Sequence, residues 1–329
     1  MDYSLNDTTP SHHDQNGVSV INRWTYLPSQ RLTLRAGWDF RFIYVDSTGT
    51  GARSRPDGGV YLTAEIEPVP SFRIIPSIKA VTDSKSFVPV PKLGLFWNAA
   101  DFLTLKNNYF RSFKFPDFDD LYWSGGGSAG NPKLRPEDGW GVDAGAEFRI
   151  AGIATLEETL FAQYTIDSIH WHQGISGWEP QNIGESVFFG SDTRLKADFN
   201  VSWGPVKKIS PQASYQFLLT YLLSYGYKWK DAKRIPYQPM HTAGASVDVS
   251  WGSGSVMFQA HYESLRYYTV TNTIELAPYL LLNLNISQNV SEHIRLFAIF
   301  RNLLNRSYES YNRYPMPGLN ITLGVRGDF

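Results

Sequence analysis

Two histidines and three aspartates are the side chains best suited to bind a metal ion. His170 and His172 stand two positions apart, so both could project from one side of a strand end toward a metal or haem. No third ligand accompanies them, and a histidine pair alone is weak evidence for a site. Asp117, Asp119 and Asp120 could form an acidic or calcium-binding cluster, but no EF-hand spacing follows, so a solvated loop is favoured. The sequence therefore predicts no metal site.

Catalytic and nucleic-acid motifs are not found. Gly125–Gly127 is not followed by the Gly-Lys-Ser/Thr of a phosphate-binding loop, and no nucleophile-elbow pattern occurs. The chain has no cysteine, and its net charge of -1 gives no basic excess for nucleic acid. We predict a protein that is not an enzyme, needs no cofactor and does not bind nucleic acid.

Aromatic side chains are abundant, with 10 Trp and 19 Tyr among 329 residues. Several lie in or beside long polar segments, where they could form an interfacial girdle or pack the loops. They could instead line a vestibule for a planar or apolar ligand, because aromatic rings give large contact areas at low entropic cost. The ligand-binding candidates are Tyr122, Trp123, Trp171, Trp178 and Trp229, with Tyr227 beside them.

The elements that carry these residues have a sequence period of two. In Leu319–Phe329 apolar residues alternate with Asn, Thr, Gly, Arg and Asp, and the same division runs through Arg31–Tyr44 and Trp140–Ile150. Strands of about 9–11 residues with this alternation are typical of membrane barrels. No run approaches the ~20 apolar residues of a transmembrane helix. We predict an all-β, antiparallel transmembrane β-barrel.

Connection lengths favour a barrel over a soluble sandwich, because short periplasmic turns alternate with long external loops in such barrels. Short turns are predicted near Pro28–Gln30, Pro68–Ser71, Asn98–Asp101, Ala151–Ile153, Gly252–Gly254 and Ser291–His293. Long polar loops are predicted at Asp46–Gly58, Lys114–Gly139, Ser168–Ser191, Lys228–Met240, Val270–Ala277 and Asn305–Gly318. An aromatic girdle at the short-turn ends is predicted from Trp24, Trp97, Trp203 and Trp251.

Strand parity predicts an incomplete barrel. The pattern gives about fifteen strands, the last running inward, so Val18–Tyr26 also runs inward and Met1 lies outside. Bacterial single-chain barrels have even strand numbers, and Met1–Gln15 has no apolar signal-peptide core. We expect residues 1–15 to be a polar N-terminal segment or external loop remnant. Residues 16–329 would form the barrel, with the missing part preceding Met1.

A family resemblance rests on the segment from Tyr109 to Glu137. It combines Arg111, Pro116 and the Leu121–Tyr122 pair with a Gly-rich loop and an Asn-Pro-x-Leu-x-Pro-Glu return, and it resembles the mid-barrel signature of TonB-dependent outer-membrane receptors. The return consists of Asn131, Pro132, Leu134, Pro136 and Glu137. Later matches are Gln181–Glu185, Ile235–Pro239, Asn302–Asn305 with Tyr308, and Tyr314–Gly318, followed by Phe329 as the aromatic C-terminus used in barrel assembly.

The resemblance covers roughly Leu32 to Phe329 and implies the C-terminal part of a 22-stranded barrel whose lumen is filled by an N-terminal plug. It implies an outer-membrane receptor for a scarce nutrient such as an iron chelate, haem or a corrinoid. The expected partners are outer-membrane lipid, the barrel-assembly machinery, the nutrient, and TonB only through a plug not present in this chain. For the Asn131–Glu137 return, a role in stiffening the loop is favoured over ligand contact.

Two other interpretations stay open. The chain could be a plug-less passive pore of about fourteen strands, with Met1–Tyr26 outside the sheet. It could also be a soluble all-β binding or adhesion protein, because soluble strands alternate as well.

Overall fold

The computed structural model describes residues 11–83, 86–174, 177–182, 184–223 and 232–327. Within them, fifteen long strands follow one another in a single antiparallel sheet, each paired with the strands before and after it in that order. Strands are numbered in chain order, short ones included. The long strands are β1 (His13–Ser29), β2 (Leu32–Ser47), β3 (Gly51–Val69), β4 (Phe72–Thr82), β5 (Phe87–Ala100), β6 (Leu103–Lys114), β9 (Glu137–Ile150), β10 (Ala154–Ile166), β13 (Glu185–Ala197), β15 (Val206–Leu223), β16 (His241–Trp251), β17 (Gly254–Glu263), β20 (Tyr279–Asn289), β21 (Ile294–Arg301) and β24 (Asn320–Gly327).

Short elements lie in the connections between the long strands. They are α1 (Phe118–Tyr122), β7 (Ser124–Gly125), β8 (Ser128–Ala129), β11 (Ile169–Gly174), β12 (Gly177–Asn182), β14 (Phe199–Trp203), β18 (Arg266–Tyr267), β19 (Glu275–Leu276), β22 (Glu309–Tyr311) and β23 (Tyr314–Pro315). In the described part of the chain, no helix has the length and apolarity needed to cross a membrane.

The alternating pattern gives the sheet one apolar face and one polar face. Large apolar side chains such as Val60 (54% exposed), Leu160 (58%) and Leu323 (74%) are open on the first face. Apart from prolines, only three of the described large apolar residues, Leu222, Leu276 and Tyr279, are buried. An apolar face this open would be costly in water but is the face that lipid covers in a membrane barrel.

The polar face is cross-linked by ion pairs between neighbouring strands. Such pairs suit a face turned away from lipid, where charged groups keep water or partner groups. The pairs are Arg35–Glu65 at 2.9 Å, Arg73–Glu65 at 3.2 Å, Lys106–Glu147 at 2.5 Å and Arg111–Asp138 at 2.6 Å.

Glycines on the polar face lie directly opposite aromatic residues on the next strand. A Cβ built on any of them would be within 3.0 Å of the facing ring, so each ring fills the space that its glycine leaves. Such pairs hold the register of a sheet that must curve. They are Gly37 with Tyr61, Gly141 with Phe110, Gly190 with Phe161, and Gly324 with Phe297.

The predicted strand number is confirmed, as is the antiparallel fold. All six predicted short turns lie between consecutive long strands. Of the four predicted girdle residues, Trp24, Trp97 and Trp203 lie toward the ends of β1, β5 and β14 and are 54%, 49% and 71% exposed, whereas Trp251 is half-buried. Strand β13 ends at Ala197, and after Asp198 the short strand β14 continues the pairing with β15.

The prediction of a long loop at Asp46–Gly58 is wrong. Instead β2 and β3 continue to a turn at Thr48–Thr50, in register from Ser47 with Gly51 to Leu32 with Ile66. The polar residues of this segment lie in cross-strand pairs, and Arg41 contacts its partner Asp57 through two hydrogen bonds of 2.9 and 2.8 Å. The polarity therefore marks strands with two polar faces and not a loop.

The N-terminal boundary also differs from the expectation. β1 begins at His13, inside the segment expected to precede the barrel, and pairs with β2 as far as Ser29. The pore interpretation placed Met1–Tyr26 outside the sheet, which is wrong for His13–Tyr26. Within the described residues, β1 and β24 are each paired on one side, so these strands form an open sheet.

External loops and a charged pocket

Asp117 is the N-cap of helix α1 in the longest connection. The Asp117 amide donates to Asp120 Oδ2 at 3.2 Å, and the other oxygen of Asp120 accepts from Trp171 Nε1 at 3.0 Å. Asp120 therefore caps a helix and holds a second loop, where the sequence favoured only a solvated segment. An acidic side chain three residues into a helix is a recognisable capping signal.

The connection from β6 to β9 and the connection from β10 to β13 pack together into one structure, which we call the loop layer (residues 115–136, 167–174 and 177–182). Strands β11, β12, β8 and β7 form a small sheet within it. The Trp178 amide donates to the Gly127 carbonyl at 3.0 Å. A Cβ at Gly177 would lie 1.8 Å from that oxygen, so only glycine fits there. The layer is thus a built surface at the long-loop end of the sheet.

Asn182 joins the two halves of the loop layer. Its Nδ2 donates to the carbonyls of Arg135 and Asp167 at 2.8 and 2.7 Å, and its Oδ1 accepts from the Arg135 amide at 2.8 Å. Arg135 also forms an ion pair with Asp167 at 2.5 Å. One amide side chain therefore satisfies three backbone groups on two loops.

The predicted family-motif residues make contacts of the same kind. Asn131 donates to the Pro180 carbonyl at 3.2 Å, and its own oxygen accepts from the Lys133 amide at 3.0 Å. Glu137 Oε1 accepts from the Ile169 amide at 2.7 Å. Pro132 is exposed, whereas Leu134 and Pro136 are half-buried. These contacts favour the loop-shaping role over ligand contact.

Four of the aromatic candidates lie in the loop layer. Trp123 stacks on His13 with ring centroids 6.3 Å apart, and a Cβ at Gly49 would lie 2.5 Å from its ring. Tyr122 lies 4.3 Å below the guanidinium of Arg53. Trp171 is held by Asp120, and Trp178 is 46% exposed. Trp229, Tyr227 and Phe329 lie outside the described residues.

The exposures rank the aromatic candidates. Tyr122 and Trp123 pack against residues of β1, β3 and the turn between β2 and β3, and Trp171 is held within the loop layer. Trp178 offers the most open ring. Contact with a ligand stays a prediction for all of them.

A charged pocket of about 900 Å³ lies on the polar face beside the loop layer. It takes side chains from the four consecutive strands β1–β4, from the end of β6 and from the start of the long connection that follows β6. Its charged lining residues are Arg23, Asp39, Arg41, Arg55, Asp57, Lys79, Lys114 and Asp117.

Gly59 lets one ion pair cross a strand in this pocket. Lys79 on β4 reaches over β3 to Asp39 on β2 at 2.6 Å. A Cβ at Gly59 would lie 2.7 Å from the Lys79 side chain, so the crossing depends on the absence of a side chain there. The sequence drew attention to Asp117 alone among these charged residues, because the others are separated along the chain and only strand pairing brings them together.

The two histidines lie in β11, with His170 half-buried in the loop layer. Burial lowers the pKa of His170 below its ordinary value of 6.5. The side chain of His172 lies outside the described part of the structure. Among the described residues, no three His, Asp or Glu side chains are placed to hold a metal ion.

The last long loop, which joins β21 to β24, is held by buried polar groups. Asn302, 4% exposed, donates from Nδ2 to the carbonyls of Arg306 and Pro317 at 2.8 and 3.2 Å. Arg266, 3% exposed, donates to the Glu309 carbonyl at 2.7 Å and contacts Glu263 at 3.3 Å. The resemblance singled out Asn302, but Arg266 was missed, because nothing in its neighbourhood distinguishes a buried arginine from a solvated one.

Comparison with known families accounts for this arrangement of strands and loops. The family described as TonB dependent receptor-like, beta-barrel matches residues 2–303. The chain belongs to this family. Members of the family are outer-membrane proteins of Gram-negative bacteria, and this chain is one of them. The soluble interpretation does not fit this membership or the open apolar face.

Curated relatives include two proteins named vitamin B12 transporter BtuB. The one from Vibrio vulnificus is 23% identical over 313 residues, which cover 90% of this chain and 46% of the relative. The one from Photobacterium profundum is 24% identical over 331 residues, covering 94% and 50%. The chain therefore spans about half the length of the curated relatives it matches.

Solved structures share the fold at low sequence identity. The copper transporter OprC aligns with a TM-score of 0.78 at 15% identity, covering 97% of this chain and 57% of that one. The ferric enterobactin receptor PfeA from Pseudomonas aeruginosa aligns with a TM-score of 0.76 at 15% identity, covering 98% and 55%. At these identities the likeness establishes the receptor-barrel fold.

Proposed function

We propose that this chain is the strand-rich part of an outer-membrane receptor that takes up a scarce small-molecule nutrient with energy delivered through TonB. The observation that carries the proposal is the pairing of a built loop layer with a charged pocket on the polar face of a receptor-family sheet. The loop layer would capture the nutrient at the cell surface, and the polar face would line its path inward.

Two observations support a nutrient class: the names of the related proteins and the aromatic surface of the loop layer. The curated relatives are named as vitamin B12 transporters, and the structural neighbours include receptors for ferric siderophores and a copper transporter. An iron chelate, haem or a corrinoid would each bring a broad, partly planar surface to the layer. Trp178, the most open of its described aromatic candidates, would contact such a surface.

A growth panel tests this proposal. The gene is deleted from its host, and growth is compared on single limiting sources: ferric catecholate, ferric hydroxamate, haem and cobalamin. We expect a defect on one source that the full-length gene restores and that reappears when tonB is deleted. Equal growth of the deletion strain and its parent on every source would contradict the proposal.

A further inference from the structure

We propose that the charged pocket binds a compact oxyanion, a phosphate or carboxylate group carried by a small ligand. The pocket lining contains five cationic side chains against three carboxylates, in a chain whose net charge is -1. Only the idea that the anion belongs to an imported nutrient rests on the proposed function.

The three carboxylates of the pocket are already neutralised. Asp57 receives two hydrogen bonds from Arg41, Asp39 lies 2.6 Å from Lys79, and Asp117 lies 2.9 Å from Lys114. Once these pairs are formed, the pocket keeps an excess of two positive charges, which belong to Arg23 and Arg55.

Arg55 is the stronger of the two anion-binding groups. Its side chain is 16% exposed, and its Nε is buried without a hydrogen-bond partner, 4.0 Å from Asp57. One terminal nitrogen donates to the Pro116 carbonyl at 2.7 Å and lies near the ring of Phe118, which fixes the direction of the side chain. A buried donor without a partner is costly, so protein groups leave this guanidinium incompletely satisfied. The part of the side chain that stays exposed lines the pocket, and an oxyanion would bind there.

Arg23 provides a second guanidinium from β1. Its side chain is exposed and forms no ion pair among the described residues. A guanidinium presents paired donors that match the two oxygens of a carboxylate or phosphate, so two such groups can hold one oxyanion from two sides. Phe113 and Phe115 line the same pocket, so apolar parts of a ligand could lie beside the anionic group.

The test is titration calorimetry on the full-length protein in a neutral detergent at low ionic strength, with inorganic phosphate and citrate as probes. Low salt keeps the electrostatic attraction from being screened. We expect saturable binding of at least one probe. Arg55→Gln and Arg23→Gln should each weaken it about tenfold, the size expected for a charged hydrogen bond.

Arg31→Gln is the matched control, because Arg31 lies at a short turn outside the pocket and donates to the Pro68 carbonyl. Its affinity should stay within about twofold of the parent. Heat-modifiable migration in SDS gels confirms that each variant is folded. If Arg55→Gln does not fold, Arg23→Gln on the exposed β1 decides the question.

Failure to bind either probe would overturn the proposal, as would binding that both pocket variants leave within twofold of the parent. Preference for phosphate or for citrate identifies which oxyanion the pocket favours, and either preference supports the proposal. Because binding is measured on purified protein, oxyanion binding without a growth defect would contradict only the proposed uptake function.

Discussion

Asn182 shows how one side chain can hold two loops. Its amide satisfies two carbonyls and one N–H, and each of these would otherwise have to find water. The family resemblance singled out the segment Gln181–Glu185 around it. Its bond partners, 47 and 15 positions away, belong to a loop arrangement that no local pattern describes.

We predict that Asn182→Ala opens the loop layer without unfolding the sheet. Three backbone groups lose their partner, at a cost of about 1–3 kcal/mol. Limited proteolysis should cut the layer several-fold faster, while heat-modifiable migration is unchanged. The control is Asn200→Ala, at an exposed position on β14, whose loop layer the protease should cut at the parental rate. Equal rates for the two variants would contradict the role given to Asn182.

His170 makes the stability of the loop layer depend on pH, and its pKa decides in which direction. Because burial lowers its folded pKa below 6.5, the opened layer binds a proton more readily than the closed one. Stability is unaffected well above pH 6.5 and falls as the pH drops below it, until the folded pKa is reached. The loss is at most about 1.4 kcal/mol per pH unit.

We therefore expect proteolysis of the loop layer to accelerate between pH 7.5 and 5.5, measured with a protease active across that range. His170→Phe removes the titrating group and should flatten this dependence relative to the parent. A variant with the parental pH profile would show that another group is responsible.

At the scale of elements, close packing between strands fixes the register. Gly190 on β13 lies where a Cβ would come within 2.0 Å of the Phe217 carbonyl and 3.0 Å of the Phe161 ring. A backbone oxygen cannot rotate away as a side chain can, so β15 would have to move.

We predict that Gly190→Ala destabilises the folded sheet by about 1–3 kcal/mol, the range for overpacked positions. Gly252→Ala, in a short turn where nothing lies within 4 Å of the new Cβ, should change stability by under about 0.5 kcal/mol. Urea unfolding of the full-length protein in micelles provides the measurement. Similar midpoints for both variants would contradict the packing argument.

The elements also show where prediction from sequence succeeds. Alternation predicted the long strands because each has one apolar and one polar face, and glycine or proline marked most short turns. It failed at Asp46–Gly58, where both strand faces are polar, and it missed α1, whose five residues are too few to show a helical period. The charged pocket was not predictable, because its residues come from five strands spread between Arg23 and Asp117, and only the pairing order of the sheet brings them to one place.

At the scale of the whole molecule, the two faces of the sheet should respond differently to charge. Val247 is 40% exposed on the apolar face of β16, and its neighbour Ser246 lines a recess on the polar face. An arginine facing the middle of a bilayer costs about 2–4 kcal/mol, whereas one facing a wet lumen costs little.

We expect Val247→Arg to lower the free energy of unfolding in lipid vesicles by about 2–4 kcal/mol, and Ser246→Arg to lower it by less than about 1 kcal/mol. The two variants carry the same new side chain at adjacent positions, so they differ only in the face that receives it. Equal losses would contradict the assignment of the faces.

Energy dependence separates a receptor from a passive pore and tests the central proposal most directly. The measurement is accumulation of the radiolabelled nutrient identified by the growth panel, in cells expressing the full-length protein with and without TonB. The receptor account predicts that cells lacking TonB still bind the nutrient at the surface but do not accumulate it. Equal accumulation in both strains, proportional to the outside concentration, would contradict the account and favour a pore.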